Sequence, residues 1–384
     1  MRIAVLTFLH AYNYGAELQA FALQRKLLSL GYDTEVLDVY RPMNEEFIPS
    51  DNFKQLFSEE DKHTKKAKTN SYIVRQINKI AKKIYQTREK ARIEKFKDFQ
   101  RKFINVSETK YYNFDAIYEE LFPYTHFIVG SDQVWNFSNP FSTEPYFLTY
   151  VKEPIKKISY AASIGHEYLP KHIAEKYKDW LSSFHNISLR EKTGADIISE
   201  LLGKKVSHVL DPTLLLSKKE WIEALNISPV KKKKPYVLVY LLSTSYYSIN
   251  LARRIARDMD CEVKVIVPGT WSPYIFQKNL SFLYTLGPVD FVQLFASASF
   301  VITNSFHGTA FSVNFNVPFF ATPKKRKKTL SRYQSLLDML GLSSRLLYEG
   351  DPYPEDYSMD FEDVNKRLNE EREYSLNYLI KSLE

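Results

Sequence analysis

Residues 1–38 constrain the fold more strongly than any other part of the chain. The apolar run at residues 3–8 predicts a buried strand, and the apolar residues after Gly15 recur at the spacing of a helix that Gly31 ends. Residues 34–37 predict the next strand. A strand, a helix and a second strand in this order form the right-handed βαβ unit of a parallel sheet, so the sequence predicts an α/β protein.

The alternation of strands and helices continues in two series. The first has strand patterns at residues 126–129, 157–161, 186–189 and 207–210, with helical patterns between them. The second has strands at residues 236–242, 263–267, 300–302 and 318–321, and helices at 246–259 and 289–298. Because a single core stops growing at about 250–300 residues, we predict two doubly wound, Rossmann-like domains at residues 1–215 and 216–384. The helical pattern at residues 361–383 could cross back onto the first domain.

Residues 43–110 interrupt the first series. The segment is polar and rich in lysine, and Ile73, Ile77, Ile80 and Ile84 lie at helical spacing. We therefore predict a helical insertion in the first domain. It could cover a face or rim of that domain or contact a partner, and the periodicity does not distinguish between these.

Composition excludes several classes of protein. With 44% hydrophobic and 26% charged residues the chain is typical of a globular protein. No apolar run approaches the roughly 18 residues that span a bilayer, and the opening run is too short for a secretory signal. The single cysteine, Cys261, can form neither an intramolecular disulfide nor a cysteine metal cluster. These features predict a cytoplasmic protein.

The charge balance favours anionic partners. Lysine and arginine number 53 against 45 acidic residues, a net charge of +8. No nucleic-acid recognition motif accompanies the excess, so we do not expect a nucleic-acid partner. Lysine-rich stretches at residues 62–102, 231–234 and 324–328 are typical of solvated faces. Such basic patches could also support peripheral association with the inner face of a membrane.

The first candidate binding loop is residues 10–15. In doubly wound sheets, ligands bind outside the carboxyl ends of the strands, and this loop follows the first strand. Asn13 offers a donor and an acceptor, Gly15 permits close backbone approach, and the next helix presents free N–H groups. The alternative is a capping asparagine followed by a turn glycine.

The second candidate loop is GSDQVWN, residues 130–136, which follows the strand at 126–129. A carboxylate, two amides and an indole suit a sugar, whose hydroxyls need several hydrogen bonds and whose ring packs on aromatic side chains. In the alternative interpretation, Ser131 or Asp132 caps a helix and Trp135 packs in the core.

Two further strand ends carry groups that suit an anion. Arg190, in SLRE at residues 188–191, can grip a carboxylate or phosphate bidentately, unless it simply pairs with Glu191. In TNSFHG, residues 303–308, the hydroxyls and glycine place backbone N–H groups near His307, a side chain that can bind an anion or move a proton near neutral pH. Alternatively, His307 caps the helix or satisfies a buried carbonyl.

Five motifs in this order resemble the polysaccharide pyruvyl transferase family: NYG at 13–15, GSDQVWN at 130–136, SLRE at 188–191, LDPTLL at 210–215 and NSFHG at 304–308. The resemblance covers most of the chain except the insertion. It implies two Rossmann-like domains in a GT-B-like arrangement with the active site in the interdomain cleft. It also implies transfer of the enolpyruvyl unit of phosphoenolpyruvate to two hydroxyls of one sugar in a polysaccharide or its lipid-linked precursor, giving a pyruvate ketal and phosphate.

The resemblance implies a donor site on the second domain and an acceptor site on the first, with no cofactor and no metal. The family's donor site uses an arginine, a histidine and a basic residue before a Leu-Gly-Leu, here matched by Arg190, His307 and one of Lys327, Lys328 and Arg332. We expect His307 to act as an acid or phosphate ligand, Arg190 to clamp the donor and Asp132 to serve as a base. The expected donor-binding residues are Arg190, Asn304, Ser305, His307, Gly308, Lys328 and Arg332. The expected acceptor-binding residues are Asn13, Tyr14, Gly15, Asp132, Gln133 and Trp135.

Two other functions are compatible with the same fold. A GT-B glycosyltransferase that uses a nucleotide sugar would need a base and ribose pocket in the second domain, which the sequence does not identify. A non-catalytic relative that binds glycans would not depend on His307 or Arg190.

Overall fold

The computed structural model describes residues 1–41, 46–48, 72–139, 144–228, 234–269, 272–324 and 330–384. The strands are β1 (Arg2–Leu6), β2 (Asp33–Val39), β3 (Val106–Tyr111), β4 (His126–Val129), β5 (Lys156–Ser159), β6 (Ser188–Leu189), β7 (Ser207–His208), β8 (Tyr236–Tyr240), β9 (Glu262–Ile266), β10 (Ser281–Leu283), β11 (Phe300–Thr303) and β12 (Phe319–Ala321). The α-helices are α1 (Tyr14–Ser29), α2 (Tyr72–Phe103), α3 (Lys171–Ser182), α4 (Lys192–Leu202), α5 (Pro212–Leu215), α6 (Lys218–Leu225), α7 (Tyr246–Asp258), α8 (Pro288–Ala296), α9 (Phe306–Asn314), α10 (Ser331–Met339) and α11 (Glu362–Leu383). Short 3₁₀ helices lie at Asp115–Tyr118, Glu144–Phe147 and Ser343–Arg345.

The first domain is built on a parallel sheet with the strand order β3-β2-β1-β4-β5. The order reverses between β1 and β4, which is the topological switch point where doubly wound sheets bind ligands. The paired strands β6 and β7 continue the sheet beyond β5 through isolated bridges such as Ala162 to Leu189. The α/β class and the parallel sheet predicted from the opening βαβ unit are confirmed.

The second domain repeats this plan with the strand order β10-β9-β8-β11-β12, again fully parallel. Its switch point lies between β8 and β11. All five residues of β8 are buried, as expected for a central parallel strand covered by helices on both faces. Two Rossmann-like domains therefore place two switch points in one chain.

The insertion differs in part from its predicted form. The helix is present as α2, but the last residues assigned to a helical insertion, 106–110, belong to β3, which pairs in parallel with β2. The prediction failed because β3 is an edge strand in which only Ser107 and Tyr111 are buried, so its sequence lacks an apolar run. Residues 43–45 and 49–71 of the insertion lie outside the described part of the chain.

Helix α2 packs on α1 and also reaches the second domain. The rings of Phe99 and Phe21 lie 5.6 Å apart in an edge-to-face contact. Lys95 Nζ donates a hydrogen bond of 2.7 Å to Asp290 Oδ2 at the start of α8. The helix therefore spans both domains on one side of the molecule.

The segment after the first sheet and the C-terminal helix also join the two domains. Trp221 in α6 packs against Phe21 of the first domain and Phe311 of the second, at ring distances of 5.4 and 5.2 Å. Helix α11 returns to the first domain, where the hydroxyl of Tyr378 donates to the carbonyl of Ser159 at 3.0 Å. Within the described residues, no helix is both long enough and apolar enough to cross a membrane.

Candidate active site in the interdomain cleft

The two switch points face each other across the domain boundary. A methyl group built on Gly15, in the first turn of α1, would lie 2.0 Å from Nδ1 of His307 in the first turn of α9. Glycine is therefore required at position 15, because the imidazole occupies the space of its side chain. The loop after β1 and the loop after β11 form one site.

Hydrogen bonds among neighbouring residues fix the turn that carries His307. Ser305 caps α9, its Oγ accepting from the backbone N–H of Gly308 at 3.3 Å, so His307 is not the cap. Thr303 Oγ1 donates to the carbonyl of Tyr240 at 2.7 Å and accepts from the N–H of Ser305 at 3.1 Å. Ser305 and Gly308 thus shape the turn that presents the imidazole to the cleft.

Asn304 binds the neighbouring loop of its own domain. Its Oδ1 accepts from the N–H of Leu242 at 2.7 Å, and its Nδ2 donates to the carbonyl of Ser243 at 2.8 Å. The side chain is buried, and both of its functional groups are engaged. Asn304 therefore holds the loop after β8 against the loop after β11.

Asp211, directly before α5, joins the polar groups of both domains. Its carboxylate accepts from Arg190 Nη1 at 2.8 Å, from Ser131 Oγ at 2.9 Å and from the N–H of Thr213 at 3.0 Å. Nε2 of His307 lies 3.7 Å from Oδ2 of Asp211. That separation exceeds a hydrogen bond, so the two groups interact electrostatically. One carboxylate thus connects the predicted donor arginine to the predicted donor histidine.

The side chain of Arg190 is fully buried at the end of β6. Its guanidinium lies over the ring of Phe306, 4.7 Å from the centroid, and its Nη2 is 3.4 Å from Oδ1 of Asp132. The alternative partner, Glu191, instead accepts from the backbone N–H of Gly165 at 3.0 Å. Arg190 is therefore directed into the cleft rather than along the surface.

The electrostatics of this cluster stabilise the charge of Asp211 but oppose that of Arg332. Burial alone would raise the pKa of Asp211, but the polar contact with His307 and the charges of His307 and Arg190 hold the pKa of its carboxyl well below the usual range. Burial and the nearby Arg190 charge lower the pKa of Arg332 at the start of α10. Two positive guanidinium groups thus lie close together in a buried setting.

Three nitrogen atoms of this cluster have no hydrogen-bond partner among the described residues: Nε of Arg190, Nε of Arg332 and Nε2 of His307. Buried donors are nearly always paired in folded proteins, so these three nitrogens are available to bind an anionic ligand. Lys328, also expected at the donor site, lies outside the described residues.

A cavity of about 940 Å³ opens beside the cluster, between α4, α10 and α11. Its lining includes Lys192 and Ser331, the chain neighbours of Glu191 and Arg332. Cavities of this size at domain boundaries commonly hold small-molecule ligands. Arg190, Arg332 and His307 themselves do not line this cavity.

Of the residues expected to bind the acceptor, Asp132 and Gln133 remain partly accessible. Asp132 has a φ of +77°, a conformation that non-glycine residues adopt at a cost, and its Oδ1 accepts from the N–H of Gln133 at 2.8 Å. Gln133 Oε1 accepts from Nδ2 of Asn136 at 2.6 Å. The strained residue therefore places a carboxylate between Arg190 and the open part of the loop.

Two residues expected at the acceptor site lie elsewhere. Trp135 is completely buried, donates from its indole nitrogen to the carbonyl of Tyr146 and stacks on Phe147, so its ring has no face for a sugar. Tyr14 stacks on Phe291 at 4.6 Å and is likewise buried. Both aromatic rings serve packing: Trp135 in the core of the first domain, Tyr14 between the domains.

Asn13 caps α1. Its Oδ1 accepts from the N–H of Gly15 at 2.9 Å and from that of Ala16 at 3.3 Å. The side chain is exposed, and no described residue accepts a hydrogen bond from its Nδ2. The capping interpretation is therefore correct, and it leaves the amide nitrogen directed to solvent.

The polysaccharide pyruvyl transferase family profile matches residues 13–323, which include every strand end described above except that of β1. The chain belongs to this family. No curated protein matches it significantly by sequence.

Solved structures of several sugar-nucleotide enzymes are similar to this family member at low sequence identity. Arabidopsis thaliana UGT89C1 complexed with quercetin is 11% identical, with a TM-score of 0.46 and alignment over 100% of this chain and 94% of that one. UDP-GlcNAc 2-epimerase from Neisseria meningitidis bound to UDP-GlcNAc is 10% identical, with a TM-score of 0.43 over 98% and 94% of the two chains. E. coli heptosyltransferase WaaC with ADP is 12% identical, with a TM-score of 0.41 over 97% and 100%.

Sequence reasoning missed several polar residues of this pyruvyl transferase family member. Asp211 lies in the LDPTLL motif, but the motif alone does not show that its carboxylate meets Arg190 and His307. His10 and Asp38 form a second buried pair, with His10 Nε2 at 2.5 Å from Asp38 Oδ1. The available signal was a polar residue at the carboxyl end of a strand. His10 lies in the first candidate loop and Asp38 near the end of β2, but the sequence does not show that the two pair.

Proposed function

We propose that the protein transfers the enolpyruvyl unit of phosphoenolpyruvate to two hydroxyls of one sugar, forming a pyruvate ketal and phosphate. A proton adds to the methylene carbon and the first hydroxyl oxygen bonds to the adjacent carbon. The carbon–oxygen bond to phosphate then breaks, and the second hydroxyl oxygen closes the ketal. Of the two hydroxyl protons released, one balances the new methyl group and the other leaves with phosphate.

The observation that carries the proposal is the junction at Asp211. Arg190 and His307, the donor residues that the family pattern implies, contact one buried carboxylate, at 2.8 and 3.7 Å. Phosphoenolpyruvate carries about three negative charges on its carboxylate and phosphate, a load that needs several cationic groups together. Unpaired nitrogens on Arg190, Arg332 and His307 are suited to meet those oxygens.

His307 would act on the donor. Gly15 lets α1 approach the imidazole, so a sugar bound near Asn13 lies next to the same ring. In this position His307 can deliver the proton to the methylene carbon or neutralise the leaving phosphate. Asp211 would orient it electrostatically without reacting.

The acceptor would bind against the first domain. Asp132 is the candidate base for a sugar hydroxyl, because its carboxylate lies beside Arg190 and is partly accessible. Gln133 and the amide nitrogen of Asn13 would bind further hydroxyls.

The test is release of inorganic phosphate from phosphoenolpyruvate in the presence of a panel of lipid-linked sugars. We expect release with at least one acceptor and a loss of about a hundredfold or more in His307→Ala. Arg190→Lys, which keeps the charge but loses the planar guanidinium, should mainly raise the KM for phosphoenolpyruvate. His172→Ala, on the exposed surface of α3, is the matched control and should retain full activity.

The proposal is wrong if the protein binds nucleotide sugars tightly and shows no affinity for phosphoenolpyruvate, which would indicate a GT-B glycosyltransferase. Glycan binding that is unaffected in His307→Ala and Arg190→Lys, without phosphate release, would indicate a non-catalytic relative.

A further inference from the structure

One face of α7 combines aromatic and cationic side chains away from the cleft. Tyr246, Asn250, Arg253 and Arg257 follow one another at the four-, three- and four-residue spacing that aligns side chains along a helix. Tyr246 is exposed, and the side chain of Arg257 is also exposed. The face therefore changes from aromatic at the amino end of the helix to cationic at the carboxyl end.

The loop between β9 and β10 runs alongside this face. The ring of Tyr274 lies 5.4 Å from that of Tyr246, and Arg253 Nη2 donates to the carbonyl of Lys278. Phe276 lies midway between these contacts, with its Cα within about 7 Å of the Cα of each anchored residue by chain length alone. Its side chain is 94% exposed, and that of Ile275 is 42% exposed.

Cations lie close to Phe276 along the chain, since Lys278 is two residues away and Arg253 donates to the carbonyl of Lys278. The residues between α7 and this loop line a cavity of about 890 Å³ with five cationic side chains and one carboxylate, Glu262. The cations are Lys234, Arg253, Arg254, Arg257 and Lys278. Asp258 pairs with Arg254 and Arg257, at 3.9 and 3.0 Å, so positive charge remains in excess after these acids are counted. We call the face formed by Tyr246, Arg253, Arg257, Ile275, Phe276 and Lys278 the Phe276 surface.

We propose that the Phe276 surface docks the protein on an anionic lipid bilayer. A fully exposed phenylalanine beside an isoleucine can enter the boundary between headgroups and acyl chains, where aromatic rings are favourable. The adjacent arginines and lysine then meet the anionic headgroups, each adding attraction. This arrangement is independent of the reaction proposed above, and it would hold the enzyme close to a lipid-linked acceptor.

A second copy of the chain is a poorer occupant of the same surface. In a symmetric dimer the same patch meets itself, so the cations of the two copies would face each other and repel. An anionic bilayer supplies the opposite charge and an apolar layer together. The charge complementarity therefore favours lipid.

The test is co-sedimentation of the full chain with vesicles of equal parts phosphatidylcholine and phosphatidylglycerol, compared with vesicles of phosphatidylcholine alone. We expect binding to the anionic vesicles that weakens with added salt. Phe276→Ser should lower the partition coefficient by about tenfold, since it removes the one aromatic side chain that enters the bilayer. Arg257→Gln with Lys278→Gln should lower it by about tenfold or more, because each cation contributes to headgroup attraction.

Matched controls distinguish binding through the Phe276 surface from non-specific binding to vesicles. Leu121→Ser removes a side chain that is 92% exposed on the first domain, and Arg101→Gln with Lys219→Gln removes two exposed cations from other faces. These variants should bind vesicles like the unchanged protein. The inference is overturned if the unchanged protein does not sediment with anionic vesicles, or if Phe276→Ser binds as well as Leu121→Ser. Self-association without vesicles that Phe276→Ser abolishes would assign the surface to a second copy instead.

Discussion

The loops of the two switch points are built differently. In the first domain, His10, Tyr12 and Asp132 have φ values of +57°, +45° and +77°, each a costly conformation for a non-glycine residue. In the second, residues 303–308 contain no positive φ, and side-chain hydrogen bonds fix the turn. The loop proposed to bind the donor thus holds His307 without backbone strain, whereas the loops proposed to bind the acceptor store strain that their surroundings must balance.

The difference extends to the charges below the loops. Burial raises the pKa of Glu17, beneath the first loop, to about 6, although Gln100 donates a hydrogen bond to it and the charges of His10 and Arg41 oppose the shift. On the donor side, Asp211 is held in its charged form by its partners. We infer that the donor side is set for a fixed anionic ligand and that the acceptor side is the more adaptable half.

The largest effect should follow from removing the charge of Asp211. In Asp211→Asn the fully buried Arg190 loses its main counter-charge, and breaking one partner of a buried pair costs about 3–5 kcal/mol. We expect this loss in the free energy of unfolding measured by urea denaturation at neutral pH. Asp196→Asn, which breaks an exposed pair with Lys192, is the control and should cost well under 1 kcal/mol. Equal stability of the two variants would mean that the buried Arg190–Asp211 pair does not stabilise the fold.

The next effect tests the contact between the two loops. The new methyl group of Gly15→Ala would overlap the imidazole of His307 and displace it. A displacement of about 1 Å can cost a hundredfold in rate, so we expect phosphate release to fall by about that factor. In the control Gly269→Ala, no atom lies within 4 Å of the added methyl group and activity should be unchanged. Full activity in Gly15→Ala would show that the position of His307 does not matter for the reaction.

A smaller effect should appear in the pH dependence of stability. Because the folded-state pKa of Glu17 is raised from 4.5 to about 6, its protonated form stabilises the fold below pH 4.5, and that contribution is lost as the pH rises through 6. Each pKa unit is worth about 1.4 kcal/mol, so Glu17→Gln should be more stable than the unchanged protein by about 2 kcal/mol at neutral pH. The difference should vanish near pH 4.5. Urea denaturation at both pH values measures it, with Glu94→Gln as the exposed control. A pH-independent difference would assign the effect to packing.

Strands flanked by turns were predictable from sequence, whereas side-chain partners were not. Residues 126–129 and 300–302 form buried strands, as their short and largely apolar runs predict. The edge strand β3 was not predicted, because it forms by pairing with β2 and its own sequence has no apolar pattern. The polar loop predicts a sugar contact for Trp135, but the residue is buried by Phe147 and by Phe184, which lies much further along the chain.

The same limit applies to the polar cluster around Asp211. The loops that hold Arg190 and His307 were identified, because the carboxyl ends of parallel strands meet at one edge of a sheet. Asp211 was not recognised as their junction, since its partner Ser131 lies 80 positions earlier in the chain and only the tertiary fold brings the two together. Local sequence therefore indicated which loops matter, and the domain arrangement decided which side chains meet.

The smallest effect concerns Asn13, which caps α1 and is also proposed to bind the acceptor. Substitutions at Asn13 and at Ser305, which caps α9, distinguish these two roles. Serine also caps helices, so Asn13→Ser should keep the stability, whereas Asn13→Ala should lose about 1 kcal/mol. If the exposed amide nitrogen binds the acceptor, Asn13→Ser raises the KM for the sugar severalfold and leaves kcat unchanged. Ser305→Ala also loses a cap, but that cap positions His307, so kcat should fall instead. Steady-state kinetics and thermal unfolding of the three variants distinguish these outcomes, and an unchanged KM in Asn13→Ser would restrict Asn13 to capping.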